Sequence, residues 1–422
     1  MPKINTRNFS WHCLKFAIAL FPFVPLIAGV SLLLSTIVSW KKRYPFLLRY
    51  WPNQALGIFA LWLLVTSLTA AHPKEAWLGT CNFLPFMFYL ASSGISIRQI
   101  SQLRTIAYLV VLPSLAVVLL GFGQLFLGWT SSPQINQLNL GWNLSYDGNP
   151  IGRMSSIFMY ANILAAYLLL AFLLGLGLWL ECYLDKGKRN RKILAILSLT
   201  IFADIAGLIL TDSRNAWIFS LLGCLAYCLY LGYRSIVGLI IALAALVSAA
   251  SWAPSPISTS LRHIVPAYFW ARLSDQLYPH RSIGSLRTTQ WQFAWEMMLH
   301  RPIFGWGLRN FSPLYTAQFG EWLGHPHNFF LMLLAEIGIP GTLILSGTIG
   351  WTIYQALQIL KKAQSSKSNH LIIFAYLITF SGCVLFNLFD ITLFNIKSNF
   401  LNWILLSCIW GIVYANKNPP PS

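Results

Sequence analysis

The sequence is short of charge, and of acid above all. Of its 422 residues only 9% are charged, and only eleven are Asp or Glu; soluble proteins carry roughly 25% charged residues. The few carboxylates form no D-x-D, no H-E-x-x-H and no adjacent pair, and there is no G-x-x-x-x-G-K-[ST]. These absences argue against an enzyme that grips a nucleotide sugar through a divalent cation, and against an ATPase. Cys13, Cys81, Cys182, Cys224, Cys228, Cys383 and Cys408 fall in or at the ends of apolar runs with no C-x-x-C spacing. They read as small packing residues, not a disulfide framework or a thiolate metal site. No fixed-period repeat or soluble domain is visible, and low complexity is confined to the tail NKNPPPS.

Apolar residues make up 56% of the chain, and its mean hydropathy is +0.61. Many windows are long enough to cross a bilayer, so the expected class is an all-α polytopic membrane protein with the lipid bilayer as its solvent. The net charge of +18 does not imply nucleic acid, because the basic residues are scattered among the hydrophobic spans. Membrane topology and an anionic ligand explain it better. Basic clusters at Lys3–Lys15, Lys41–Arg43, Asp185–Lys192, Lys361–Lys367 and Lys417 mark a cytoplasmic face. Placing them all on one side requires the run Leu14–Trp40 to double back, and the two prolines of Phe21–Pro25 allow a helical hairpin there. Further spans are expected near 54–70, 76–94, 105–128, 154–182, 193–211, 215–232, 235–253, 337–359, 370–390 and 397–415. That gives about twelve transmembrane helices in one integral membrane domain, 1–422. The loops 129–153 and 254–336 then face outward.

The loop Pro254–Glu336 is long enough to have structure or function of its own. It contains Arg262, Arg272, Arg281, Arg287, Arg301 and Arg309 but no lysine, and His263, His280, His300, His325 and His327. Arginine keeps its charge and binds phosphate oxygens bidentately, so the pattern suggests an anionic ligand. Ser285–Phe311 has helical periodicity, with Leu286, Trp291, Ala294, Trp295 and Met298 on one apolar face. It is expected to lie on the membrane as an amphipathic helix presenting Arg287 near its start. Upstream, Thr211-Asp212-Ser213-Arg214 places Arg214 in the first turn of a span. A cation there opposes the helix dipole and needs an anionic partner, either Asp212 or a bound phosphate.

The segment His325–Thr342, HPHNFFLMLLAEIGIPGT, sets two histidines and an asparagine at a helix mouth. Such groups are costly against lipid and belong in a wet cavity. His325-x-His327 without a neighbouring carboxylate or thiolate is a weak metal site, so no metal and no cofactor are expected.

The order S-R-x-A-W, R-x-x-x-W, H-R-P-x-x-G-x-G and H-N-x9-G-x-x-G-T, over about residues 150–345, resembles the O-antigen ligase and polymerase superfamily. The resemblance implies a GT-C-like membrane fold and a multi-pass protein of the bacterial inner membrane with a periplasmic active site. It also implies metal-independent, inverting transfer of a glycan from a polyprenyl-diphosphate carrier to an acceptor hydroxyl, on a lipid-linked sugar or a growing polysaccharide. Carried onto this chain, the general base falls on His327. The diphosphate-binding arginines fall on Arg214 and Arg287. Asn328 would orient His327, with His325, Arg309, Arg153 and Asn162 as auxiliaries. Gly338 and Gly341 would permit a tight turn into the next span. Polymerase activity on carrier-linked repeats is an open alternative. So is transport of bicarbonate, whose site would lie at the midplane, where Asp204 is a candidate, with Glu181 and Asp390 near span ends.

Overall fold

A computed structural model describes residues 6–132, 142–185, 190–274, 276, 284, 286–362 and 367–417. The described residues are helical or irregular, with no strand among them. Among the described residues, eight helices are long and apolar enough to cross a membrane, and two shorter apolar helices accompany them.

The first apolar run is two helices. α1 (Thr6–Leu20) and α2 (Pro25–Arg49) are separated by a turn at 21–24, with Pro25 opening α2. They fold back on each other. Ser10 Oγ lies 2.9 Å from both Ser35 Oγ and Ser39 Oγ, and 3.0 Å from Ser96 Oγ on α5. Small hydroxyl residues let helices approach closely and bond where the surroundings are apolar.

α3 (Trp51–Leu68) follows directly. The next expected span, 76–94, is not one helix. It divides into α4 (Pro73–Thr80) and α5 (Leu84–Ser96), with Pro85 at the start of α5. Asn399 Nδ2 donates to the Asn82 carbonyl in the break at 2.9 Å, so that carbonyl does not go unpaired. Neither α4 nor α5 reaches the length of a membrane span.

The longer helices are α6 (Ile100–Phe126), α7 (Ala161–Leu184), α8 (Arg191–Leu210), α9 (Arg214–Leu231) and α10 (Arg234–Trp252). α7 is buried along most of its length and forms the centre of the bundle. Asp204, on α8, is completely buried. The long loop contains α11 (Ile257–Leu261), α12 (Ala267–Leu273), α13 (Arg287–His300) and α14 (Phe311–Phe319). The bundle closes with α15 (Phe329–Lys362), α16 (Lys367–Phe386) and α17 (Ile396–Lys417).

α13 buries a different face from the one its periodicity suggested. Gln290, Phe293, Ala294, Met297 and Met298 point inward, while Leu286 and Trp295 are exposed. Phe293, Ala294 and Met297 form a second small core with Phe311, Tyr315 and Ala335. The helix therefore packs on α14 and the start of α15.

α15 begins at Phe329, well before the expected span boundary, and breaks at Gly338 (φ 71°, ψ 176°). The broken backbone is paired from outside the helix. Trp306 N–H donates to Ala335 O (3.0 Å), Gly307 N–H to Glu336 O (2.8 Å) and Trp62 Nε1–H to Ile337 O (2.9 Å). In return Ile339 N–H donates to Pro302 O (2.8 Å). A Cβ on Gly338 would lie 1.9 Å from Ile303 O, so close approach and positive φ both require glycine. Gly341 has a different task from the expected one. It lies within the helix, where a Cβ would come 2.7 Å from the Trp62 ring.

Candidate functional site

The start of α7, the end of α8, the start of α9, the end of α16 and the starts of α15 and α17 meet at one end of the bundle. Short irregular segments there carry the polar residues. His327 has φ 53°, a left-handed conformation uncommon outside glycine. Its N–H donates to His325 Nδ1 at 3.2 Å, which holds the turn. The His327 ring then faces the loop between α16 and α17, with Nδ1 3.0 Å from Asp390 Oδ1.

Asp390 is the residue that sequence reasoning missed at this site. Its other oxygen accepts from Asn162 Nδ2 at 2.6 Å, and Asn162 Oδ1 accepts from the Arg153 guanidinium at 2.6 Å. Arg153 Nε donates to Thr211 O at 2.8 Å. The chain Arg153–Asn162–Asp390–His327 therefore joins three regions distant in sequence, with Arg153 and Asn162 in one of them. Burial opposes ionisation of Asp390. The His327 hydrogen bond, the charge that ring gains on protonation and nearby Arg287 outweigh it, bringing the carboxyl down to about 2.

His325 is nearly buried, stacked parallel to Phe394 and edge-on to His327. Burial, with His327 beside it, lowers its pKa to about 4. It is therefore neutral at pH 7, and its 4.0 Å approach to Asp390 is not an ion pair there. Together His325, His327 and Asp390 place three potential ligand atoms within 4.8 Å of one another. The carboxylate lacking from the H-x-H motif is thus supplied by the fold.

The cations arrive from another side. Arg272, only 6% exposed, binds Asp212 Oδ2 at 2.8 Å and the Asp212 carbonyl at 3.0 Å. Asp212 also has positive φ. Burial pushes its carboxyl up, while Arg272 and Arg153 pull against that. Arg214 is the first residue of α9, and its guanidinium reaches the Arg272 carbonyl at 3.5 Å. Ser213 precedes it, but its side chain makes no capping bond. Arg287 opens α13 close enough for its charge to act on Asp390, His325 and Tyr160. Tyr160 also feels Arg153, Asp390 and Arg272, while burial raises its phenol above the ordinary range. It had no sequence signal.

Other expected auxiliaries are placed elsewhere. Asn328 Oδ1 accepts from Leu331 N–H at 3.1 Å and caps α15; Asp390 orients the His327 ring instead. Arg309 pairs with Glu75 on α4 at 3.1 Å. Arg262 bonds the Ala250 carbonyl and stacks on Trp270, while Arg301 bonds Thr69 O and stacks on Trp306. Much of the loop's arginine content therefore fastens the loop to the bundle. Arg281 and His280 lie outside the described residues.

A cavity of about 520 Å³ adjoins the site, lined by α15, α16, α17 and Phe83. It is within the usual range for ligand pockets. Phe329 and Asn387 reach it from the site, and Phe329 N–H donates to Asn387 O at 2.9 Å. Phe389, two residues on, meets Phe219 of α9 and Trp291 of α13. The stretch from Asn387 to Asp390 thus borders the cavity, the cation side and the histidine.

This arrangement defines a multi-pass membrane protein with a histidine–carboxylate pair beside a cationic cluster and an apolar cavity. Residues 195–346, from Ala195 in α8 to Ser346 in α15, match the O-antigen ligase family profile. Over those residues the chain is similar to that family. A curated relative, the ComP-specific O-oligosaccharyltransferase of Acinetobacter baylyi, is 29% identical over 236 residues. The match covers 53% of this chain and 40% of that relative's length.

Proposed function

We propose that the protein transfers a glycan from a polyprenyl-diphosphate carrier to an acceptor hydroxyl at the periplasmic face of the bacterial inner membrane, with inversion and without a metal. The observation that carries this reading is the His327–Asp390 contact. With Nδ1 committed to Asp390, Nε2 is the nitrogen available to a substrate. It takes the proton from the acceptor hydroxyl as that oxygen attacks the anomeric carbon. The bond from that carbon to the diphosphate breaks, and its electron pair leaves on the carrier. Asp390 fixes the ring and stabilises the imidazolium, with Asn162 and Arg153 holding Asp390. A positioned base of this kind contributes on the order of 10²–10⁴ in rate. Arg287 and Arg214 stabilise the diphosphate as its charge develops. The apolar cavity accommodates the hydrocarbon part of a lipid-linked substrate.

Three acceptor classes offer a suitable hydroxyl: a lipid-linked sugar, a carrier-linked glycan and, as the Acinetobacter relative's name suggests, a protein. The test is glycan transfer by purified protein in chelator, with each acceptor class, comparing the parent with His327→Ala and Arg287→Ala. Transfer by the parent and its loss in both folded variants supports the assignment. Undiminished transfer by His327→Ala overturns it.

A further inference from the structure

Lys397 is the second residue of α17 and only 2% exposed. Its ammonium donates to the Ile157 carbonyl at 2.6 Å and sits 4.7 Å from the centre of the Phe158 ring. No carboxylate meets it among the described residues. A buried cation at a helix N-terminus opposes the helix dipole, and an ionisable group inside a membrane protein calls for a counter-charge.

Lys397 also lines a cavity of about 220 Å³, separate from the one beside His327. Pro25, Gly29, Leu32, Leu33 and Thr36 line it too and form one stripe along α2, starting at the hairpin turn. At 1.5 Å per residue the stripe runs roughly 16 Å, comparable with half the hydrocarbon thickness of a bilayer. It is open: a Cβ on Gly29 would meet nothing within 4 Å, and Leu33 is exposed. The hairpin turn and the start of α17 lie at the same end of the bundle as His327, since Trp142 donates to Phe23 O and the loop before α17 carries Asp390.

We infer that this groove binds an acidic phospholipid of the surrounding bilayer, its phosphate against Lys397 and an acyl chain along the α2 stripe. Charge complementarity selects the headgroup, and the unbranched apolar track selects the chain. The phosphate supplies the missing counter-charge, and the lipid braces the Ile157 turn that leads into Asn162.

The test is native mass spectrometry of the purified full-length protein with phosphatidylglycerol or phosphatidylcholine added at equal concentration. Phosphatidylglycerol occupancy should exceed that of phosphatidylcholine, and Lys397→Met should lower it about fivefold, the equivalent of one lysine–lipid attraction. Gly29→Leu fills the track without touching the charge, and should also lower occupancy; Lys397→Arg should preserve it. Equal occupancy by the two lipids, or no loss in Gly29→Leu, overturns the inference. Its failure would leave the His327 reading untouched, because glycan transfer is measured separately.

Discussion

The two ends of the segment Phe329–Ile337 are held in different ways. At Gly338 the chain is fixed mainly by backbone: three backbone–backbone hydrogen bonds, a fourth from the Trp62 indole, and a contact with room for no side chain. At His327 it is fixed by side chains, through a relay whose members come from the loop before α7, from α7 itself and from the α16–α17 loop. The first arrangement builds a shape and the second sets a charge. Substitutions at the two ends should therefore fail differently.

The largest effect on turnover is expected from His327→Ala, on the order of 10²–10⁴ in glycan transfer, with a thermal melt close to the parent's. A melt that collapsed with the activity would show that the two ends share one role. Asp390→Asn keeps the shape and removes the charge. It should cost on the order of 10² in turnover, and combined with His327→Ala it should add almost nothing, because the two act as a unit. Additive losses in that double variant would separate them. Gly338→Ala should show the converse signature. Strained φ and the clash with Ile303 O should lower stability by about 2–3 kcal/mol, read by chemical or thermal unfolding in detergent. Turnover per folded molecule should fall much less.

The smallest effect is expected at His325. His325→Ala removes the acceptor for the His327 N–H and should reduce turnover only a few-fold. Its clearer readout is pH. The folded pKa of about 4 lies below the ordinary 6.5, so the folded protein binds fewer protons than the unfolded chain between those values. The stability linked to this group is fully present above pH 6.5 and is lost as pH falls toward 4. Melting temperatures across that window should fall less steeply in His325→Ala.

The same contrast explains what could be read in the sequence. The membrane class, the hairpin at Phe21–Pro25 and the break at Gly338 leave local marks: apolar length, paired prolines and a glycine pattern. His327 is marked by its motif. Asp390 is not, because it stands 63 residues away in sequence and gains its role only when α16 and α17 bring it back to the histidine. Asn162 and Arg153 carried weak hints for the same reason. The division of the expected span 76–94 was hidden because its apolar composition continues through the break, and the bond that stabilises it comes from Asn399. Arg309 looked like a site residue because residue type alone cannot separate an arginine that binds a ligand from one that ties down a loop.

The bend in α15 joins two dimensions of the molecule. Residues before it, Phe329 and Phe330, and residues after it, Leu345 to Ile353, line the same 520 Å³ cavity. The angle at Gly338 therefore sets how these two stretches of α15 face each other across that cavity, and one glycine shapes both of its walls on that helix.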